Sequence, residues 1–225
     1  MGIPFIAIFI TCITIFFNLK SRRAMNRTED VRRAFWERER RANMARKKSL
    51  EDLPYVKIPE DIPPEITEAL SGDARDAARR VKDLREEDAK IVNLTGYSNT
   101  DLKLEYGAAN INDLIVFDTN YTTLVTSLQE CAKALYDAEK YPEAQRVLEF
   151  SVQTGTDIAA SYKMLIDLYR TRLFLDKESS DARIRALETN ASVLRTINKD
   201  SILRTIREAL GEETVSSETA AEAQA

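Results

Sequence analysis

The chain has 225 residues, of which 33 are basic and 37 are acidic, and its formal net charge is −4. It contains no histidine, so the side chain that most often serves as acid–base catalyst and metal ligand is absent. Its two cysteines, Cys12 and Cys131, lie in an apolar run and on an apolar helical face, so no disulfide framework is expected and a reducing compartment fits. A chain of this length is expected to form one domain with appendages.

Residues 1–19 are predicted to form a transmembrane helix, because residues 3–19 are almost wholly apolar and carry no charge. A helix of this length spans about 25 Å, at the short end for a bilayer core. Basic residues follow the apolar run instead of preceding it, which argues against a cleaved secretory signal. A buried apolar strand or helix is the alternative.

The orientation of this span follows from Lys20, Arg22 and Arg23, which come directly after it. The positive-inside rule places such residues in the cytoplasm. The sequence therefore predicts a single-pass protein of a bacterial inner membrane, with its N-terminus outside and its C-terminal domain in the cytoplasm.

Residues 20–48 are strongly basic and are predicted to form a juxtamembrane helix. Val31, Phe35 and Ala42 give it a thin apolar stripe, and Trp36 lies beside the stripe. Next to a span, such a helix suits the anionic inner leaflet of the membrane. Electrostatic binding of nucleic acid and a merely solvated helix are the alternatives. The candidate membrane-surface residues are Lys20, Arg22, Arg23, Arg32, Arg33, Trp36, Arg40 and Arg41.

Residues 49–64 hold four of the six prolines, so no helix is expected to run through them. They form either a linker or a strap laid across the helical domain. Residues 65–210 are predicted to be that domain, and the acidic residues 211–225 are predicted to be a disordered tail.

Within the helical domain, apolar spacing predicts one helix over residues 73–94, with Asp73 as its N-cap. A second helix is expected over residues 97–119, ending near Asp118, and Thr119 or Asn120 is expected to cap the next one. A further helical stretch, residues 183–210, is expected to break near Lys199 and Asp200.

The central stretch, Tyr121–Leu175, reads as three helices joined by short turns. Pro142 suits the first turn of the second helix, and Gly155 suits its end. Three apolar faces follow helical spacing. They consist of Leu124, Val125, Leu128, Cys131, Ala132 and Leu135; of Ala144, Val147, Leu148 and Ser151; and of Tyr162, Leu165, Ile166, Leu168 and Tyr169.

This stretch resembles the tetratricopeptide repeat, whose period is 34 residues. Tyr162 follows Leu128 at that period, and the resemblance covers about one and a half degenerate repeats. A four-residue insertion would bring Ala182 and Ala186 into register in the second return helix. The residues that carry the pattern are Leu128, Cys131, Ala132, Leu135, Tyr141, Ala144, Leu148, Ser151, Thr156, Tyr162, Leu165, Ile166 and Tyr169.

The resemblance implies an all-α fold of antiparallel helix pairs and a concave partner groove lined by the first helix of each repeat. Plain solvent exposure is the alternative for the same residues. Carried over to this chain, the candidate partner groove consists of Thr126, Gln129, Lys133, Tyr136, Lys163, Asp167 and Arg170.

Residues Ile115–Asn120 resemble the strand-end Asp-Thr-Asn start of PIN-type ribonucleases, which implies a metal-dependent nuclease as an alternative function. Otherwise the sequence contains no phosphate loop, paired CxxC, catalytic triad or HExxH motif. We therefore expect no catalytic residue, no metal site, no cofactor and no enzyme.

Taken together, these patterns predict a membrane-anchored cytoplasmic adaptor or scaffold that binds an unidentified protein and touches the anionic inner leaflet. We expect no nucleic-acid partner. Besides the nuclease, the remaining alternative is a self-assembling structural membrane protein that forms homo-oligomers.

Overall fold

The computed structural model describes residues 20, 29–63 and 72–212. Within these ranges the chain is all helical and contains no strand, which confirms the predicted all-α class. The predicted span at residues 1–19 lies outside the described residues, as does the predicted tail from residue 213 onward. No helix in the described ranges is long and apolar enough to cross a bilayer.

The chain divides into two compact units. Unit 1 contains the described residues up to Leu50 together with Ser98–Ile111, and unit 2 contains Glu51–Tyr97 and the chain from Asn112 onward.

Unit 1 pairs helix α1, residues 29–43, with helix α3, Asn99–Tyr106. Helix α3 begins with a capping box in which Ser98 and Asp101 satisfy each other's backbone N–H groups. Ala42 on α1 and Leu102 on α3 are buried. After Gly107, a short 3₁₀ turn at Ala108–Asn110 completes the unit.

Unit 2 contains the remaining helices. Helix α2 is Gly72–Glu86, and α4, Ile111–Asp137, begins with the last residue of unit 1. Helix α5 is Tyr141–Gln153, and α6 is Ala159–Asp167, which continues into a π-helical turn at Leu168–Arg172. Helix α7 is Lys177–Ser192, and α8 is Lys199–Leu210. Helix α6 packs on α5 and α8, and α7 packs on α8.

The core of unit 2 is formed by the apolar faces that helical spacing predicted for α4, α5 and α6. Every residue of these three faces is buried except Ile166, which is partly exposed. Ala132 and Ala144 have no exposed surface, so both small side chains lie inside the core. Pro142 lies in the first turn of α5, and Gly155 follows its end with φ +82°, as expected.

Two of the predicted helices have the wrong bounds. Helix α2 ends at Glu86, well before the expected residue 94, because Asp88 takes a positive φ of 47° and the chain then runs without helix through residues 89–94. Asp73 also lies inside α2 and is not its N-cap.

The second error concerns the single helix expected over residues 97–119. The chain instead forms α3, a 3₁₀ turn after Gly107, and α4, which continues through Asp118, Thr119 and Asn120 instead of ending there. Two of these polar side chains bind the segment at residues 89–94. Asp118 Oδ1 accepts a hydrogen bond from the N–H of Leu94 at 3.1 Å. Asn120 donates one to the carbonyl of Lys90 at 3.0 Å. These polar side chains therefore form hydrogen bonds with backbone groups that are distant in sequence, and they do not mark the end of a helix.

The proline-rich residues 51–63 run beside α2 and the segment at residues 89–94. Arg85 donates hydrogen bonds to the carbonyls of Pro59, Glu60 and Ile62 at 2.8–3.2 Å. The N–H of Val56 binds the carbonyl of Ile91 at 2.9 Å, and Ile62 is buried in the core.

The last two helices differ in part from the expectation. A break does separate α7 from α8 just before Lys199. Ala182 and Ala186, however, are exposed, so they do not form the close contact that a second return helix requires. The buried face of α7 is formed by Ser180, Ile184, Leu187 and Ala191.

Candidate functional site

The predicted membrane-surface residues on α1 share one side of that helix. Successive residues of a helix turn by about 100°, so Arg32, Trp36 and Arg40 follow one another along one side, and Arg33 lies next to them. All four side chains are exposed. In the described part of the chain, none of these three arginines has an acidic side chain within ion-pair distance. We call Arg32, Arg33, Trp36 and Arg40 the basic face.

Helix α3 forms ion pairs with other residues of α1. Arg38 forms an ion pair with Asp101 at 2.5 Å, and Lys103 forms one with Glu39 at 2.5 Å. Hydrogen bonds from Lys103 and then from Thr100 lower the pKa of Glu39. A hydrogen bond from Ser98 is the main cause of the lowered pKa of Asp101. Glu39 and Asp101 are thus ionised and paired with Lys103 and Arg38 within unit 1, and neither forms an ion pair with an arginine of the basic face.

The N-terminal half of α1 also exposes large apolar side chains. Val31 is 65% exposed, Phe35 55% and Trp36 59%, and the rings of Phe35 and Trp36 pack edge to face with centroids 5.4 Å apart. The expected stripe is therefore split, because Ala42 is buried whereas Val31 and Phe35 face solvent. This half of the helix thus combines unpaired arginines with an aromatic pair.

The other predicted membrane-surface residues are less informative. Lys20 is exposed, and Arg22 and Arg23 lie outside the described residues. Arg41 is exposed and lies on α1 beside the basic face, one turn from Glu37.

Three of the predicted groove residues meet between α4 and α6. Gln129 accepts a hydrogen bond from Ser161 at 2.6 Å, and its amide nitrogen lies 3.3 Å from the sulfur of Met164. Further along the same two helices, the hydroxyl of Tyr136 donates to Asp167.

Around Tyr136 a cluster forms that the sequence did not predict. Arg172 lies 3.3 Å from Asp167 and places its guanidinium 5.8 Å and 5.7 Å from the rings of Tyr136 and Tyr141. Burial favours a higher pKa for Asp167, but hydrogen bonds from Tyr136, Thr171 and Arg172 outweigh it and lower that pKa. Asp167 is therefore an ionised carboxylate, bound by the hydroxyl of Tyr136 and the guanidinium of Arg172. Only the spacing of Tyr136 and Tyr141 across a short turn could have pointed to this cluster.

The remaining groove residues behave differently. Lys133 pairs with Asp137 at 2.7 Å, and Thr126 binds the carbonyl of Thr122 within its own helix. Lys163 is exposed without an ion pair among the described residues. Arg170 does not line the groove, because its guanidinium binds Asp181 at 2.6 Å and the carbonyl of Ala209 at 2.6 Å, toward α7 and α8.

The strand-end interpretation of Ile115–Asn120 is wrong. These residues are helical, and the Asp118 carboxylate accepts the hydrogen bond from Leu94 described above. Across the described ranges, no group of three or more acidic or cysteine side chains is arranged to hold a metal ion.

Comparison with known proteins gives no match: no family model fits the chain, and no curated protein or solved structure is significantly similar to it.

Proposed function

We propose that this protein is a membrane-anchored helical adaptor. The apolar residues 3–19 anchor it, the basic face of α1 lies on an acidic cytoplasmic leaflet, and unit 2 holds a partner protein on the surface between α4 and α6. The observation that carries the proposal is the exposed basic face, in which arginines without an ion pair among the described residues lie beside a tryptophan, in the segment of sequence that follows the apolar residues 3–19.

The proposed membrane contact combines electrostatic attraction with the insertion of an apolar side chain. Each cation held near an acidic leaflet contributes about 1 kcal/mol of binding free energy. A tryptophan prefers the boundary between headgroups and acyl chains, because its ring is apolar and its N–H is polar. The basic face supplies both groups on one side of one helix.

Trp36 is the only tryptophan in the chain, so its fluorescence reports on this helix alone. We expect the full chain in nanodiscs of equal parts phosphatidylcholine and phosphatidylserine to show a blue-shifted emission relative to phosphatidylcholine nanodiscs. High salt should reverse the shift, because it screens surface charges.

The matched variant replaces Arg32, Arg33, Arg40 and Arg41 with glutamine and should lose the shift while circular dichroism stays unchanged. A control that replaces the exposed Arg75, Arg79, Arg146 and Arg204 with glutamine should keep it. An emission maximum that is the same in acidic and neutral nanodiscs would contradict the membrane contact.

The adaptor role is supported by the surface between α4 and α6, where Lys163, one helical turn before Asp167, is exposed and has no ion pair among the described residues. We expect a photo-crosslinking amino acid at position 163 of the full chain, expressed in cells, to yield one dominant protein adduct. The same group at the exposed position 204 on α8 should not yield that adduct. Equal adduct patterns from both positions would count against a partner surface here.

A further inference from the structure

A second group of cations, Arg46, Lys47 and Lys48, lies in the loop that follows α1. Residues 45–48, which we call the basic loop, run across the end of α3. The N–H of Lys48 binds the carbonyl of Tyr106 at 3.0 Å, and the N–H of Ala108 binds the carbonyl of Ala45 at 3.4 Å. Both ends of the loop are thus hydrogen-bonded to the short segment from Tyr106 to Ala108.

Asn110 and Gly107 contact the backbone of the same loop and hold it in place. Asn110 is completely buried, and its amide donates to the carbonyls of Lys48 at 2.8 Å and Tyr106 at 2.7 Å. Gly107 has φ +93°, and a Cβ there would lie 2.3 Å from the carbonyl oxygen of Arg46. Only glycine allows the two backbones to cross this closely.

The loop presents three consecutive cations to solvent. The side chains of Arg46, Lys47 and Lys48 are exposed, and none of them forms an ion pair within the described ranges. Their backbone is ordered by carbonyl and amide contacts, so binding at these residues costs little additional backbone entropy. The loop and the basic face belong to the same compact unit.

We propose that Arg46, Lys47 and Lys48 form a second membrane-contact site that binds the phosphate groups of acidic lipids, with Gly107 and Asn110 as positioning residues. This inference rests on the proposed membrane contact of α1, because that contact brings the loop to the bilayer. An acidic bilayer is favoured over nucleic acid, since the exposed aromatic pair and the apolar residues 3–19 precede the same stretch of chain. A membrane attachment there gives the loop a high effective concentration of lipid phosphate.

Amine footprinting of the full chain tests the loop directly. In nanodiscs containing phosphatidylserine, we expect acetylation of Lys47 and Lys48 to slow by about fivefold for each lysine relative to phosphatidylcholine nanodiscs. Lys133 in unit 2 serves as the internal control and should react at the same rate in both. Equal rates at Lys47 and Lys48 in the two lipids would overturn the proposal.

A charge-preserving variant separates placement from charge alone. Gly107→Ala keeps every cation but forces the loop away from α3, so the protection of Lys47 and Lys48 should fall while the Trp36 blue shift persists. If this variant loses helicity, Arg46→Gln with Lys47→Gln and Lys48→Gln replaces it, and the salt concentration that reverses the Trp36 shift should then drop. A reversal at unchanged salt concentration would overturn the loop site.

The same measurements distinguish the two proposals. A Trp36 shift without lysine protection leaves the α1 contact standing and removes the loop site. No shift and no protection removes both. Lysine protection by a short single-stranded RNA, together with an unshifted Trp36 in acidic nanodiscs, would assign the loop to nucleic acid.

Discussion

At the scale of single residues, unit 2 buries three tyrosines whose hydroxyls bind acceptors inside the protein. Tyr121 donates to the carbonyl of Thr154, Tyr162 to that of Thr156, and Tyr169 to the Glu149 carboxylate. Burial raises the pKa of all three, and that of Tyr162 reaches about 12. Burial likewise raises the pKa of the Cys131 thiol to about 12.

These raised pKa values predict a loss of stability in alkali. The unfolded tyrosine has a pKa of about 10, so the contribution of Tyr162 is complete below that pH and declines between about pH 10 and pH 12. Over that window, we expect Tyr162 alone to lower the free energy of unfolding by about 1.4 kcal/mol per pH unit. Urea unfolding at a series of pH values measures this slope.

The variant Tyr162→Phe should be less stable at neutral pH, because it loses a hydrogen bond, yet its stability should fall less steeply in alkali. Leu165→Ala, which removes a buried side chain without a titratable group, should be less stable but keep the wild-type slope. A slope unchanged in Tyr162→Phe would show that this hydroxyl is not protected in the folded protein.

At the scale of elements, the continuity of α4 has a direct consequence for substitution. Proline inside a helix removes a hydrogen bond and clashes with the preceding turn, at a cost of about 3 kcal/mol or more. Thr119→Pro should therefore destabilise unit 2 by about that amount and reduce the helical signal in circular dichroism. If a new helix began near residue 119, the same proline would be tolerated.

Thr119→Ala is the control for that substitution. Thr119 is exposed and its hydroxyl binds only the carbonyl of Ile115 in its own helix, so alanine should change stability little. Comparable melting temperatures for the proline and alanine variants would mean that α4 ends near Asp118 after all.

The same helix shows where sequence reasoning succeeds and where it stops. The buried faces of α4, α5 and α6 could be predicted because each is a local pattern of apolar residues at helical spacing. The passage through Asp118 and Asn120 could not, since their hydrogen-bond partners are the backbones of Leu94 and Lys90, 24 and 30 residues away. Local polarity gives no sign of so distant a partner.

In the candidate sites, too, local spacing could be predicted from the sequence, whereas contacts between distant residues could not. The shared side of Arg32, Trp36 and Arg40 could be read from their spacing, whereas the burial of Ala42 and the exposure of Phe35 depend on where α3 begins, since its first turn contacts Arg38 and Glu39. Arg170 was placed in the groove by its repeat position, but its guanidinium turns to Asp181 and Ala209. Arg172 was overlooked, because its place beside Tyr136 depends on the π-helical turn that carries it.

At the scale of the whole molecule, charge is distributed unevenly between the two units. In the sequence, residues 1–50 and 98–111 hold 13 of the 33 basic residues and 6 of the 37 acidic ones. The rest of the chain holds the other 20 basic and 31 acidic residues. The net charge of −4 is therefore the difference between a basic unit and a strongly acidic remainder.

This separation means that the overall isoelectric point, near 5.2, describes neither unit. At neutral pH the basic unit is drawn to negatively charged matrices and the acidic remainder to positively charged ones, so a cation exchanger and an anion exchanger would each bind a different part of the chain. An acidic membrane acts on the chain as a cation exchanger does. It attracts the basic unit and repels the acidic remainder, so the two parts of the chain respond to the same charged surface with opposite sign.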